Sequence, residues 1–160
     1  MITIRGRDLN RLTAEAQKSE RLRNNKNYHS DFRDPINRLL NAVEPETYVR
    51  PHCHQLPDKT EVFIILRGRA AVFEFDNTGL ITESIVLDPK KGHYAVEIPP
   101  RIWHSIVSLE PGTVMYEVKN GPYDPDNDKR FAPWAPAEDD PKRKKEAYMH
   151  TLLSHINNRS

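Results

Sequence analysis

Pro51-His52-Cys53-His54, then Glu61 and Gly68, then Pro99-Pro100-Arg101-Ile102-Trp103-His104 hold the residues of this 160-residue chain best suited to chemistry. Side chains on a strand alternate faces, so His52 and His54 present their imidazoles to the same side. A carboxylate from the next strand, Glu61, and a third imidazole, His104, can converge on that point. Three imidazoles and one carboxylate suit a single divalent transition metal: zinc, iron, nickel or manganese. If Glu61 faces inward, Phe63 and Ile65 share its face and surround the carboxylate with apolar groups. Such a carboxylate needs a cation or hydrogen-bond donors to offset its desolvation.

The same parity carries Tyr48 and Arg50 inward with the histidines. Arg50 offers a fork of donors for a carboxylate or phosphate, and Tyr48 a hydroxyl that could donate a proton or orient a substrate. Each of these residues has an ordinary structural explanation when taken singly: a surface histidine near a turn, a core histidine beside Trp103, a surface charge at a strand start. Their order and their placement on strands make them a site. Cys53 has the opposite parity and reads as an incidental thiol. His29, His93, His150 and His155 lack comparable partners and read as surface or packing residues; His29 alone could reach a pocket.

Holding these groups in place requires strands, and the pattern from Thr47 to Lys119 supplies them. Thr47 to His52, Glu61 to Leu66, Ala70 to Phe75 and Leu80 to Leu87 read as successive strands, with Asp76-Asn77-Thr78-Gly79 as a hairpin turn. Tyr94 to Ile98 and Ile102 to Leu109 are expected to pair, and Thr113 to Lys119 closes the series. Short strands without intervening helices indicate an antiparallel all-β sandwich or barrel. Upstream, Ile2 to Ile4 reads as a short strand and Asp8 as the N-cap of a helix with Leu9, Leu12 and Ala16 on one stripe. Arg21 to His29 is too polar for a core and reads as a solvated linker, or as an arm laid across a polar pocket. Asp34-Pro35 followed by Ile36, Leu39, Leu40 and Val43 reads as a short helix or amphipathic turn. Beyond Gly121-Pro122 the prolines exclude a helix or central strand, while Tyr123, Phe131 and Trp134 require something to pack on. Lys142 to His155 reads as a terminal helix with Tyr148, Leu152 and Ile156 as its apolar stripe. The expected organisation is one domain: residues 1–28 as strand, helix and polar arm, 29–123 as barrel, and 124–160 as proline-rich segment and helix.

Charge and composition narrow the partners. Lys and Arg number 24 against 23 Asp and Glu, so net charge gives no case for nucleic acid or an anionic membrane. No apolar run approaches a membrane span, and no signal-peptide core is present near Met1. Cys53 is the single cysteine, which rules out an internal disulfide and fits a cytoplasmic protein.

The order of His52, His54, Glu61 and Gly68, then Gly92, Pro99 and His104, resembles the two motifs of the cupin superfamily. Six residues separate His54 from Glu61, more than the motif's usual three or four. Glu46 stands at the motif's opening glycine, Arg101 at its turn glycine and Ser108 at its asparagine. More closely, the chain resembles the WbuC family of cupin-fold metalloproteins. The resemblance runs through Arg23-Asn24-Asn25, Arg38-Leu39-Leu40-Asn41, Tyr48 to His52, Val96 to Pro100, Gly121 to Pro125 and Phe131 to Pro136. It implies a double-stranded β-helix, the jelly-roll barrel of cupins, with short terminal helices. It also implies one metal on His52, His54, Glu61 and His104 and a setting in bacterial surface-polysaccharide metabolism.

Two functions fit: a metal-dependent isomerase or oxygenase acting on a sugar or sugar nucleotide, or a metal-dependent binding or regulatory module without turnover. A metal-free epimerase would need histidines not committed to a metal. Small barrels of this kind pair through exposed sheet edges, so a homodimer is expected.

Overall fold

Ten strands build two antiparallel five-stranded sheets in the computed structural model, which describes residues 1–158. The strands are β1 (Arg23–Asn27), β2 (Ile36–Val43), β3 (His52–Cys53), β4 (Glu61–Arg67), β5 (Ala70–Phe75), β6 (Ile81–Leu87), β7 (Ala95–Ile98), β8 (Trp103–Ser108), β9 (Thr113–Asn120) and β10 (Arg130–Phe131). Their order is β1-β2-β9-β4-β7 in one sheet and β10-β3-β8-β5-β6 in the other. Helices α1 (Gly6–Lys18) and α2 (Lys142–Asn157) flank them. This is the antiparallel all-β sandwich that the strand pattern predicts, in the jelly-roll form with two short terminal helices that the cupin resemblance implies.

Each sheet is covered on both faces. Between the sheets lie Phe63, Ile65, Val72, Leu87, Ile106 and Met115. On the outer face of the first sheet, Leu12 and Ala16 of α1 pack against Leu40, Ala42 and Val114. On the outer face of the second, Trp134 and Leu152 cover Cys53, Phe73, Phe75, Trp103 and Val107. Double coverage explains why β8 is buried at every residue although a one-sided sheet would alternate. It also gives the proline-rich segment its role: Trp134 meets Phe75 and Trp103, and Tyr123 meets Phe32.

Four local expectations are corrected. Ile2 to Ile4 is not a strand; no partner pairs with it, and Ile2 is exposed. The helix begins at Gly6 behind Arg5, and Asp8 sits one turn in, its carboxylate accepting the Arg5 N–H at 3.0 Å. Ile36 to Val43 is strand β2, not helix, because it pairs with β9 along its whole length and with β1 on its other side. Its apolar residues at Ile36, Leu39, Leu40 and Val43 satisfy a helical period, but the ladder bonds on both sides override so short a run. Finally, β7 and β8 do not pair: β7 joins β4 in the first sheet, while β8 lies between β3 and β5 in the second. Of the two readings of the polar stretch after α1, the structure bears out the arm: Arg23 to Asn27 is the edge strand β1, and Arg23, Asn24, Asn25 and Asn27 line a pocket.

Candidate metal centre

His52 and His104 are directly opposed where β3 pairs with β8. Glu61 opens β4 in the facing sheet, between Ile98 of β7 and Lys119 of β9. His54 follows β3 by one residue. The four side chains therefore meet between the sheets, each at most 4% exposed, and one nitrogen or oxygen from each lies within 4.8 Å of the others.

The backbone sets the rings. His52 Nδ1 donates to the Arg50 carbonyl at 2.9 Å, His104 Nδ1 to the Ile102 carbonyl at 2.9 Å, and His54 Nδ1 to the Asp128 carbonyl. A proton held on Nδ1 leaves Nε2 as the ring's lone-pair donor, the usual support of a metal-binding imidazole. Nε2 of His52 and of His54 are buried without a hydrogen-bond partner. Such orphaned acceptors are costly unless something fills the space between them. Oε2 of Glu61 lies 2.9 Å from His104 Nε2 and 3.4 Å from His54 Nε2. The donor set and its geometry fit one divalent metal ion.

Charge around the centre reinforces this. Burial pushes the Glu61 carboxyl up, but contacts with His104 and His54 and the charge of Lys119 outweigh it and hold the group well below the carboxylate range. Burial, then Lys129 and His104, press His52 well below its ordinary value, which keeps that imidazole neutral. Lys119 bridges the carboxylates: its Nζ is 2.9 Å from Asp128, 3.5 Å from Glu117 and 3.8 Å from Glu61. Asp128 also accepts a hydrogen bond from the buried Lys59 ammonium at 2.6 Å. Glu117 accepts from Asn41 at 2.6 Å, and burial together with the nearby Glu61 charge pushes it up to about 7.

The centre opens onto a cavity of about 670 Å³. Arg50 and His29 line it, but Tyr48 does not. Residues 47–51 have no regular strand geometry, so the parity that would carry Tyr48 inward does not apply. Its hydroxyl instead donates to the Pro136 carbonyl at 2.7 Å, and its ring meets Tyr148 edge-on under the C-terminal segment. Cys53 is buried on the opposite side from the centre, as its parity requires. The reading from residue order missed Glu117, Lys119 and Asp128. The first two carried a signal: they share the inward face of β9 with Met115, and charges on that face of a core strand need a reason.

Comparison with known proteins follows this geometry. The family described as a domain of unknown function, DUF6016, matches residues 4–87. The chain belongs to this family. The DUF6016 match includes His52, His54 and Glu61 and ends at Leu87, before His104. Among solved structures, KdgF from Halomonas sp. is similar at 18% identity and a TM-score of 0.51, over 65% of this chain and 83% of KdgF. A cupin superfamily protein from Desulfitobacterium hafniense DCB-2 is similar at 16% identity and a TM-score of 0.51, over 68% of this chain and 86% of that one. A cupin-2 domain from Rhodospirillum rubrum is similar at 16% identity and a TM-score of 0.50, over 74% of this chain and 68% of that one. These likenesses show that this DUF6016 member has the cupin fold. No curated protein sequence matches the chain. Among the described residues no helix is long and apolar enough to cross a membrane.

Proposed function

We propose that this DUF6016 member is a mononuclear metal-dependent cupin acting on a small, polar, sugar-related molecule. The observation that carries the metal is the set of three backbone-tethered imidazoles: Nε2 of His52 and His54 is buried and unpartnered, and all three rings converge with Glu61 within 4.8 Å. When bound, such a metal supplies Lewis acidity toward an oxygen-bearing substrate. The protein's own contribution is to hold the rings through the Arg50, Ile102 and Asp128 carbonyls and to wall the cavity beside them with apolar Phe63 and Ile106.

The sugar-related part rests on two supports. Asn25, Asn27, Asn37 and Asn41 line the cavity, and each amide offers both donor and acceptor to a hydroxyl. The WbuC resemblance, with its polysaccharide setting, points the same way.

Elemental analysis of untagged protein purified without added metal, beside His52→Ala, tests the centre. One equivalent of a single transition metal in the parent, lost in the variant, is the expected result. Equal metal content in the two, or none in either, overturns it.

A further inference from the structure

We infer that the cavity beside the metal centre is an anion-binding site, in which Lys129 and Arg50 hold the carboxylate or phosphate of the substrate. This rests on the reading above of the cavity as a small-molecule site. Five of the lining residues are cations: Arg21, Arg23, Arg50, Lys119 and Lys129. Three of them have carboxylate partners. Lys119 is shared among Asp128, Glu117 and Glu61, while Arg21 and Arg23 meet Glu138 at 3.8 Å and 3.0 Å. Among the described residues, neither Arg50 nor Lys129 has a carboxylate within ion-pair distance, although both face the same cavity as the centre.

Local structure explains how they come to face it. Phe131 of β10 pairs with His52 of β3, and Arg130 pairs with Cys53. Alternation then sends Phe131 to the cavity and Arg130 to the outer face, where its guanidinium lies 5.3 Å from the Trp103 ring. Lys129, exposed and just ahead of the strand, lines the cavity as well. Arg50 spends one nitrogen on the Ala132 carbonyl at 2.9 Å, which fixes the fork, and its Nε is buried without a partner. Its guanidinium lies 5.2 Å from the centroid of the Phe131 ring, and that centroid is 6.2 Å from the His52 ring. The result is an aromatic surface beside the four-residue centre, with Arg50 against it and Lys129 lining the same cavity. A fixed fork on an aromatic face, with an ammonium free of carboxylate partners on the same cavity, suits an anionic group carried on a polar ring.

The test is calorimetric titration of the full chain, metal-loaded and chelator-stripped, with glucuronate, glucose 6-phosphate and glucose. Glucuronate and glucose 6-phosphate separate carboxylate from phosphate as the anion, and glucose is the neutral control. At least one anionic probe should bind about tenfold more tightly than glucose, because a hydrogen bond to a charged group is worth that much or more. Lys129→Gln should abolish that preference and Lys129→Arg should restore it, with metal content unchanged in both. Glucose binding as well as the anions, no anion binding, or a preference untouched by Lys129→Gln overturns the inference. Failure of the metal reading shows separately in the elemental analysis, and the stripped protein then tests the anion site alone.

Discussion

Glu46 and Arg101 stand where the two-motif pattern has glycine, and both adopt left-handed backbone, with φ of 72° and 69°. The turns keep their shape without the residue that makes that shape free of strain. A left-handed conformation costs a side-chain-bearing residue about 1 kcal/mol. Arg101 offsets part of this by clamping Asp58 with two bonds, at 2.8 Å and 3.0 Å. Glu46 is exposed and has no such contact among the described residues. Glu46→Gly should therefore raise stability in urea unfolding by about 1 kcal/mol, while Arg101→Gly gains less because it loses the Asp58 pair. Equal or lower stability for Glu46→Gly would show that the turn is not strained. Gly68, where the motif does keep its glycine, admits no such exchange: at φ 74° an added Cβ would collide with Thr113.

The segment between β9 and β10 supports His54 directly through Asp128. Its carbonyl orients His54, and its carboxylate answers Lys59 and Lys119, which are 1% and 5% exposed. Asp128→Asn leaves two buried ammonium groups short of their counter-charge, and the loss should reach about 3 kcal/mol. Metal affinity, read by chelator competition, should fall by about tenfold as the support of His54 loosens. Burial works to raise the Asp128 carboxyl, but Lys119 and Lys59 outweigh it and hold the group below the usual carboxylate value. Its stabilising effect is thus full at neutral pH and fades as pH falls through the depressed folded value. The variant should accordingly lose less stability on acidification than the parent. An unchanged acid limb would sink that account.

Across the whole molecule, a metal seated between the two sheets would tie them together, since Glu61 comes from one, His52 and His104 from the other, and His54 from the residue after β3. Binding to the folded state alone stabilises by about 2.7 kcal/mol at a hundredfold excess over Kd. For a domain of this size that is a rise in Tm of about 5–10 °C. Adding the metal found by elemental analysis to stripped protein should produce that rise, chelator should reverse it, and His52→Ala should show neither effect. A Tm indifferent to metal would mean that the four groups do not bind one.

What the sequence determined by itself follows from local alternation. Period two placed His52 and His54 on one face and Cys53 on the other, and the spacing of short strands and turns announced an antiparallel sandwich or barrel, which the motif resemblance narrowed to a jelly roll. Tertiary structure decided whatever depends on partners distant along the chain. Ile36 to Val43 became a strand through pairing with β1 and β9, against its helical spacing. Tyr48 left the cavity because its stretch is not a strand and because Pro136, 88 residues away, offers its hydroxyl an acceptor. The Lys59–Asp128 pair joins groups 69 residues apart, and Asn41 meets Glu117 across 76. Charges buried at such separations leave no local pattern, since each is tolerated only by the partner that folding brings to it.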